Sequence, residues 1–174
     1  FEMGTAVPEV WYTAFVNLFL EGELKAGETV LIHAGASGVG TAAIQLANAI
    51  NATVFITASA AKHKACRQLG AKLTIDYKTQ AFLAEVMSQT DGQGVDVILD
   101  PVGGTYLARN VKVLRPFGRL INIGLLGGSN SELNMAHLLR KRLRIIGSTL
   151  RTRPIAEKIE ITRQFNNRFW PMLL

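Results

Sequence analysis

TVLIHAGASGVGTAAIQLANA, residues Thr29 to Ala49, decides how the rest of the chain is read. Its β-branched and aliphatic opening, Thr29-Val30-Leu31-Ile32, is strand-like, and the alanine-rich run after Gly40 is built of good helix formers. Between them lies Gly35-Ala36-Ser37-Gly38-Val39-Gly40, so the order is strand, tight loop, helix. A helix that starts directly after a glycine turn leaves its first N–H groups unpaired and turns its positive end outward, where a pyrophosphate can sit. Gly35 permits the turn, Gly38 lets backbone approach phosphate, and Gly40 allows the helix to pack on the strand. Ser37 stands where G-x-G-x-x-G has its middle glycine, and its hydroxyl can itself donate to phosphate. An ordinary glycine-containing βα turn is the alternative. The flanking strand and helix signals favour dinucleotide binding.

The next strand signal, Thr53 to Thr57, sharpens the reading. In NAD-preferring folds an acidic residue ends this strand and binds the adenosine ribose. No carboxylate occurs from Asn51 to Ala71, and Ser59 and Lys62 are offered instead. A hydroxyl and a cation suit a 2′-phosphate, so NADPH is preferred over NADH, with a solvated first-turn lysine as the alternative. Tyr77 follows a third strand at Leu73 to Ile75, where its ring could stack on adenine, its hydroxyl could meet a phosphate, or it could simply pack.

Further strand signals lie at Val95 to Leu99, Arg119 to Ile123 and Leu143 to Ser148. Helical segments are expected over Val7 to Glu21, Ala60 to Leu69, Ala81 to Ser88, Tyr106 to Leu114, His137 to Arg142 and Ile155 to Phe169, with a turn at Pro116-Phe117-Gly118. Gly103-Gly104 ends the fourth strand, and either close approach of something flat or a tight turn would need glycine there. Gly124 to Gly128 forms a second glycine-rich loop at a strand's carboxyl end. Strands alternating with helices predict an α/β fold, a doubly wound parallel six-stranded sheet of Rossmann type in the order 3-2-1-4-5-6.

At 174 residues and 48% hydrophobic, the chain supports one substantial core. No apolar run approaches the ~18 residues of a spanning helix, and no signal-peptide pattern opens the chain, so a cytoplasmic protein without membrane partners is expected. One cysteine, Cys66, excludes an internal disulfide and a multi-cysteine zinc site. The net charge of +6 raises a nucleic-acid partner. Apart from Arg140-Lys141-Arg142-Arg144 and Arg151 with Arg153, however, the basic residues are scattered, and no aromatic-interleaved motif accompanies them. The start at Phe1 and the apolar end Pro171-Met172-Leu173-Leu174 read as a segment of a longer protein.

AGASGVGTAAIQLA, Lys62 ahead of QLGA, Tyr77, GVDVILDPVGG, LRPFGRLINIGLLGG and LRIIGSTLR together resemble the cofactor domain of the medium-chain dehydrogenase/reductases. The likeness is nearest to the zinc-free quinone oxidoreductase branch, zeta-crystallin-like proteins included. It implies that residues 1–22 form a hinge helix from a catalytic domain, 23–153 the NADP-binding Rossmann domain, and 154–174 a helix leading back.

The resemblance also implies residue roles. Ser37, Gly38, Val39 and Gly40 would contact the pyrophosphate, Ser59 and Lys62 the 2′-phosphate, and Tyr77 the adenosine phosphate region. Leu125, Leu126, Gly127 and Gly128 would line the nicotinamide side, and Thr13 would reach the cofactor from the hinge. Ala58 and Pro101 depart from residues common in the family. Catalytic groups would belong to the other domain and no metal ligands are assigned; His33, His63 and His137 are not spaced as ligands, and His33 is expected to be structural. The implied activity is NADPH-dependent hydride transfer to a quinone or another activated alkene or carbonyl, with this segment alone inactive. A homodimer through residues 143–148 is implied as well. The alternatives are an enoyl reductase module of a fatty acid or polyketide synthase, and a non-enzymatic NADPH-binding or RNA-binding protein.

Overall fold

The structure is a computed structural model that describes residues 7–172, with side chains described from 9 to 171. Residues 1–6 of the expected hinge helix and 173–174 of the closing segment lie outside it. The sheet is parallel and six-stranded in the order β3-β2-β1-β4-β5-β6, as expected. Its strands are β1 (Thr29–Ile32), β2 (Thr53–Ala58), β3 (Leu73–Asp76), β4 (Val95–Asp100), β5 (Leu114–Asn122) and β6 (Arg144–Gly147).

The helices are α1 over 7–21, α2 (Gly38–Ala49), α3 (His63–Gln68), α4 (Phe82–Gln89), α5 (Leu107–Val113), α6 (Met135–Lys141) and α7 (Ile155–Phe169). α1 is wound as π-helix at Val7–Trp11 and Val16–Glu21, around an α-helical turn at Tyr12–Phe15.

Alternation along the strands sends side chains to two cores. Val30, Ile32, Val54, Ile56, Val97, Leu99 and Ile121 face the layer formed by α1, α2 and α7. Leu31, Phe55, Ile98 and Leu120 face Phe82, Val86 and Val111 of α4 and α5. Every residue of β4 is buried, as a strand covered on both faces requires. α7 is held to α1 by aromatic packing. Phe165 lies 5.6 Å from Phe15 and 5.1 Å from Tyr12, both edge to face.

β5 departs from expectation. The turn at Pro116-Phe117-Gly118 lies inside the strand, because Leu114 pairs with Val95 and Arg119 with Val97, so the ladder closes on both sides of the excursion. It is an irregular bulge with three extra residues on β5, which tolerates a proline that an unbroken central ladder would not. Phe117 takes a left-handed φ of 64°, and Arg142 stacks on its ring at 4.1 Å. Beyond the bulge, Arg119 is buried and binds Glu28 through both nitrogens, at 3.0 and 2.7 Å, and the Gly22 carbonyl at 2.8 Å. This clamp fixes the end of α1 to the amino edge of the sheet. Burial pushes the Glu28 carboxyl up, but hydrogen bonds from Arg119 and the Lys25 N–H outweigh it and hold the group below the usual range.

Candidate functional site

At the carboxyl ends of the strands two chambers meet at Ser37. One, of about 240 Å³, is lined by Ala34, Ala36, Ser37, Ala58, Ser59, Lys62 and Tyr77. The other, of about 260 Å³, is lined by Glu9, Thr13, His33, Ser37, Val39, Gly40, Leu99, Pro101 and Ile123. Joined, they form a trough across the ends of β3, β2, β1, β4 and β5. β1, its middle strand, pairs with both β2 and β4, which makes this the topological switch point of the sheet.

The trough's centre is the start of α2. Ser37 caps the helix by accepting the Gly40 N–H at 3.1 Å, and the N–H groups of Gly38 and Val39 stand at the open end. The Ser37 hydroxyl proton remains free to donate to a ligand. The glycines have identifiable neighbours. A Cβ on Gly35 would lie 2.6 Å from Ile56 Cβ, and one on Gly40 2.5 Å from the Ala34 carbonyl oxygen. Gly38 faces α1, since a Cβ there would meet Val10 at 2.9 Å. The left-handed residue of the turn is Ala34, with φ 51°, directly ahead of the glycine run rather than within it.

Ser59 and Lys62 flank the short 3-10 turn Ala60–Lys62 that leads into α3. Ser59 occupies the cap position without using its side chain there. Among the described residues no carboxylate lies within ion-pair distance of Lys62. Asp76, paired in register with Ala58, accepts from the Lys78 N–H and the Thr79 hydroxyl of its own turn. Tyr77, half exposed, lines the same chamber as Lys62. A helix amino end, two hydroxyls and a lysine form a donor set that fits a phosphorylated dinucleotide.

Thr13 lines the second chamber while donating its hydroxyl to the Glu9 carbonyl at 2.6 Å. Residues 125 to 128 lie beside the trough but line neither chamber. Leu125 and Leu126 are exposed, and Gly127 donates to the Val102 carbonyl at 2.7 Å. Gly103 and Gly104 have φ of 64° and 39°, and a Cβ on Gly104 would stand 2.3 Å from the Gly127 oxygen. The flat neighbour these glycines admit is the second glycine loop.

The sequence reading missed the polar chain behind the trough. His33 Nε2 is 2.8 Å from Asn110 Oδ1, and its Nδ1 is 3.1 Å from Thr57 Oγ1. Asn110 donates to Asp100 at 3.0 Å, and the same carboxylate accepts the Val102 and Gly103 N–H groups. The imidazole packs edge-on against Phe82 and Tyr106. Burial pushes its pKa down, aided by Arg109 and opposed by Asp100 and the Asn110 hydrogen bond, so the ring is neutral. The structural role expected of His33 thus has named partners. The sequence marks only a polar residue at each of three strand ends, His33, Thr57 and Asp100, and not which of them meet.

A parallel sheet wound on both sides, with an anion cradle at its switch point, defines a Rossmann-type nucleotide-binding domain. Residues 38–165 match the zinc-binding dehydrogenase family, and the chain belongs to that family. The medium-chain dehydrogenase/reductase resemblance is thereby borne out. The chain is 40% identical over 126 residues to the human synaptic vesicle membrane protein VAT-1 homolog, a match covering 72% of this chain and 32% of that protein. The chain therefore spans about a third of the length of the VAT-1 homologs it matches.

Among solved structures, the nucleotide-binding subdomain of the enoylreductase domain of PpsC from Mycobacterium tuberculosis is similar at a TM-score of 0.83 and 31% identity, covering 92% of each chain. Escherichia coli quinone oxidoreductase complexed with NADPH is similar at a TM-score of 0.80 and 26% identity, covering 91% of this chain and 50% of that one.

The family's description names zinc, and the donors present here do not fit it. Among the described residues no three His, Cys, Asp or Glu side chains converge. Both His33 nitrogens are engaged, the His63 ring meets the Ala58 carbonyl, and Cys66 is buried in the core.

Proposed function

We propose that this chain is the NADPH-binding domain of a zinc-free oxidoreductase that passes hydride to a quinone or another activated alkene or carbonyl. The observation that carries the reading is that Ser59 and Lys62 line one chamber beside the α2 cradle, with no carboxylate among the described residues in ion-pair distance of the lysine. In this reading Ser37, Gly38, Val39 and Gly40 hold the pyrophosphate through backbone N–H groups and the Ser37 hydroxyl. Ser59 and Lys62 hold the 2′-phosphate, and Tyr77 covers the adenosine end. Thr13 and the loop of Leu125, Leu126, Gly127 and Gly128 border the nicotinamide end. When bound, the cofactor supplies the hydride chemistry, and the chain's task is orientation.

The proposed arrangement places the acceptor between this domain and a second one, beside α1 and α7, so residues 7–172 alone bind cofactor with little turnover. Among the described residues no helix is long and apolar enough to cross a membrane. A second reading, the enoyl reductase module of a fatty acid or polyketide synthase, is supported by the likeness to the PpsC enoylreductase subdomain over 92% of each chain. The two readings share the cofactor and differ in the acceptor.

A nucleic-acid role draws less support, because most of the basic groups that raised it are engaged. Lys141 donates to two backbone carbonyls, Arg142 stacks on Phe117, Arg144 pairs with Glu23, and Arg153 pairs with Glu21.

Thermal shift tests the assignment. NADPH is expected to raise Tm more than NADH does, and Lys62→Ala to weaken NADPH binding about tenfold while leaving NADH nearly unaffected, since an exposed charge-assisted contact is worth about 1 to 2 kcal/mol. Equal shifts from both dinucleotides would remove the Ser59 and Lys62 assignment.

A further inference from the structure

The buried chain behind the trough has a direction that can be read from its donors. The Asp100 carboxylate accepts from the Val102 and Gly103 N–H groups and from Asn110 Nδ2, so Asn110 presents its oxygen to His33. His33 Nε2 must then carry the ring proton and Nδ1 be bare. Bare Nδ1 accepts the Thr57 hydroxyl proton, which turns the Thr57 oxygen lone pairs toward the Ala34 N–H at 3.3 Å. The Thr57 carbonyl takes the next amide, Gly35 N–H, at 2.9 Å. One threonine thus grips two successive N–H groups where the backbone turns left-handed at Ala34.

The gripped segment shapes the cradle. Ala34 is an alanine at φ 51°, a conformation that costs a residue with a Cβ about 1 kcal/mol or more and needs outside support. Its carbonyl accepts the Ser37 N–H at 2.9 Å, and it also forms the wall that leaves no room for a Cβ on Gly40.

We propose that His33 is a positioning residue for the dinucleotide: held as its Nε2–H tautomer by Asn110 and Asp100, it orients Thr57 to fix Ala34 and thereby the α2 cradle. The role rests on the cofactor reading above. In this role His33 acts through Thr57 and Ala34. The groups facing it are Asp100 of β4, Arg109 and Tyr106 at α5, Phe82 of α4 and Thr57 of β2.

Two measurements test it. In protein labelled with ¹⁵N-histidine, without ligand, His33 is expected to show a protonated Nε2 and a bare Nδ1 at neutral pH and to keep them as pH falls to the ordinary histidine midpoint. An Nδ1–H tautomer would overturn the proposal. NADPH titration of Thr57→Val, nearly isosteric, and of His33→Phe is expected to give about tenfold weaker binding for each. The double variant should be no weaker than either single one, because both break the same chain.

Adding Ala34→Gly to Thr57→Val should restore most of the affinity, since glycine holds a left-handed turn unaided. Folded single variants that lose Tm but bind NADPH as the parent does, or a glycine that restores nothing, would leave His33 and Thr57 as core polar groups only. A parent protein that does not bind NADPH would remove the cofactor reading and this role together. Tight parent binding that the variants leave intact removes the role alone.

Discussion

Ser37 caps α2 with the same hydroxyl that is proposed to donate to phosphate, and the two roles separate on mutation. As a cap it accepts the Gly40 N–H, and its loss costs a helix about 1 kcal/mol. Ser37→Ala is expected to lower Tm by about 3 °C for a domain of this size, read by calorimetry. If its proton also reaches phosphate, NADPH affinity falls further than that loss of stability accounts for. Residue by residue, the cradle was legible where glycine announced it. Gly40 is excluded from carrying a Cβ by backbone, as the motif implies. Ala34 was not legible, because alanine gives no sign of a left-handed φ. Nor was His33, whose partners arrive from positions 57 and 110, far away in sequence. Contacts of that range follow from the fold and not from local pattern.

At the scale of elements, period and punctuation carried most of the reading. α7 spans Ile155–Phe169, the expected bounds, because Pro154 sets its start and Phe165 and Phe169 mark the buried stripe. β5 was misread at Pro116-Phe117-Gly118, since turn residues inside a bulge look the same in sequence as turn residues between elements. The π-wound turns of α1 likewise left no local mark. The α1 to α7 contact lends itself to measurement. Phe165 is fully buried among Tyr12, Phe15 and Phe169, and Phe165→Ala is expected to cost about 3 to 5 kcal/mol. Because Phe165 belongs to the α1 and α7 core, hydrogen exchange should accelerate in those helices first, with β4 protected longest.

For the whole molecule, alternation of strands and helices and the handedness of their crossovers gave the expected strand order, which is the observed one even though β5 begins earlier than expected. What covers the outer edge of β6 is a different matter. The strand is short, its Ile145 side chain is partly exposed, and Met135 and Leu139 of α6 are exposed as well. We propose that a second copy pairs along this edge, as the family resemblance implies. Light scattering is expected to give twice the monomer mass at high concentration, and monomer throughout would end the idea.

The contact between Gly104 and Gly127 carries a consequence for motion. The space between the two backbones is too narrow for even a Cβ on Gly104, so the turns after β4 and β5 pack directly on each other. Whatever dislodges the turn after β4 is therefore expected to carry the turn after β5 with it, since Leu126 and Gly127 also donate to the Pro101 and Val102 carbonyls.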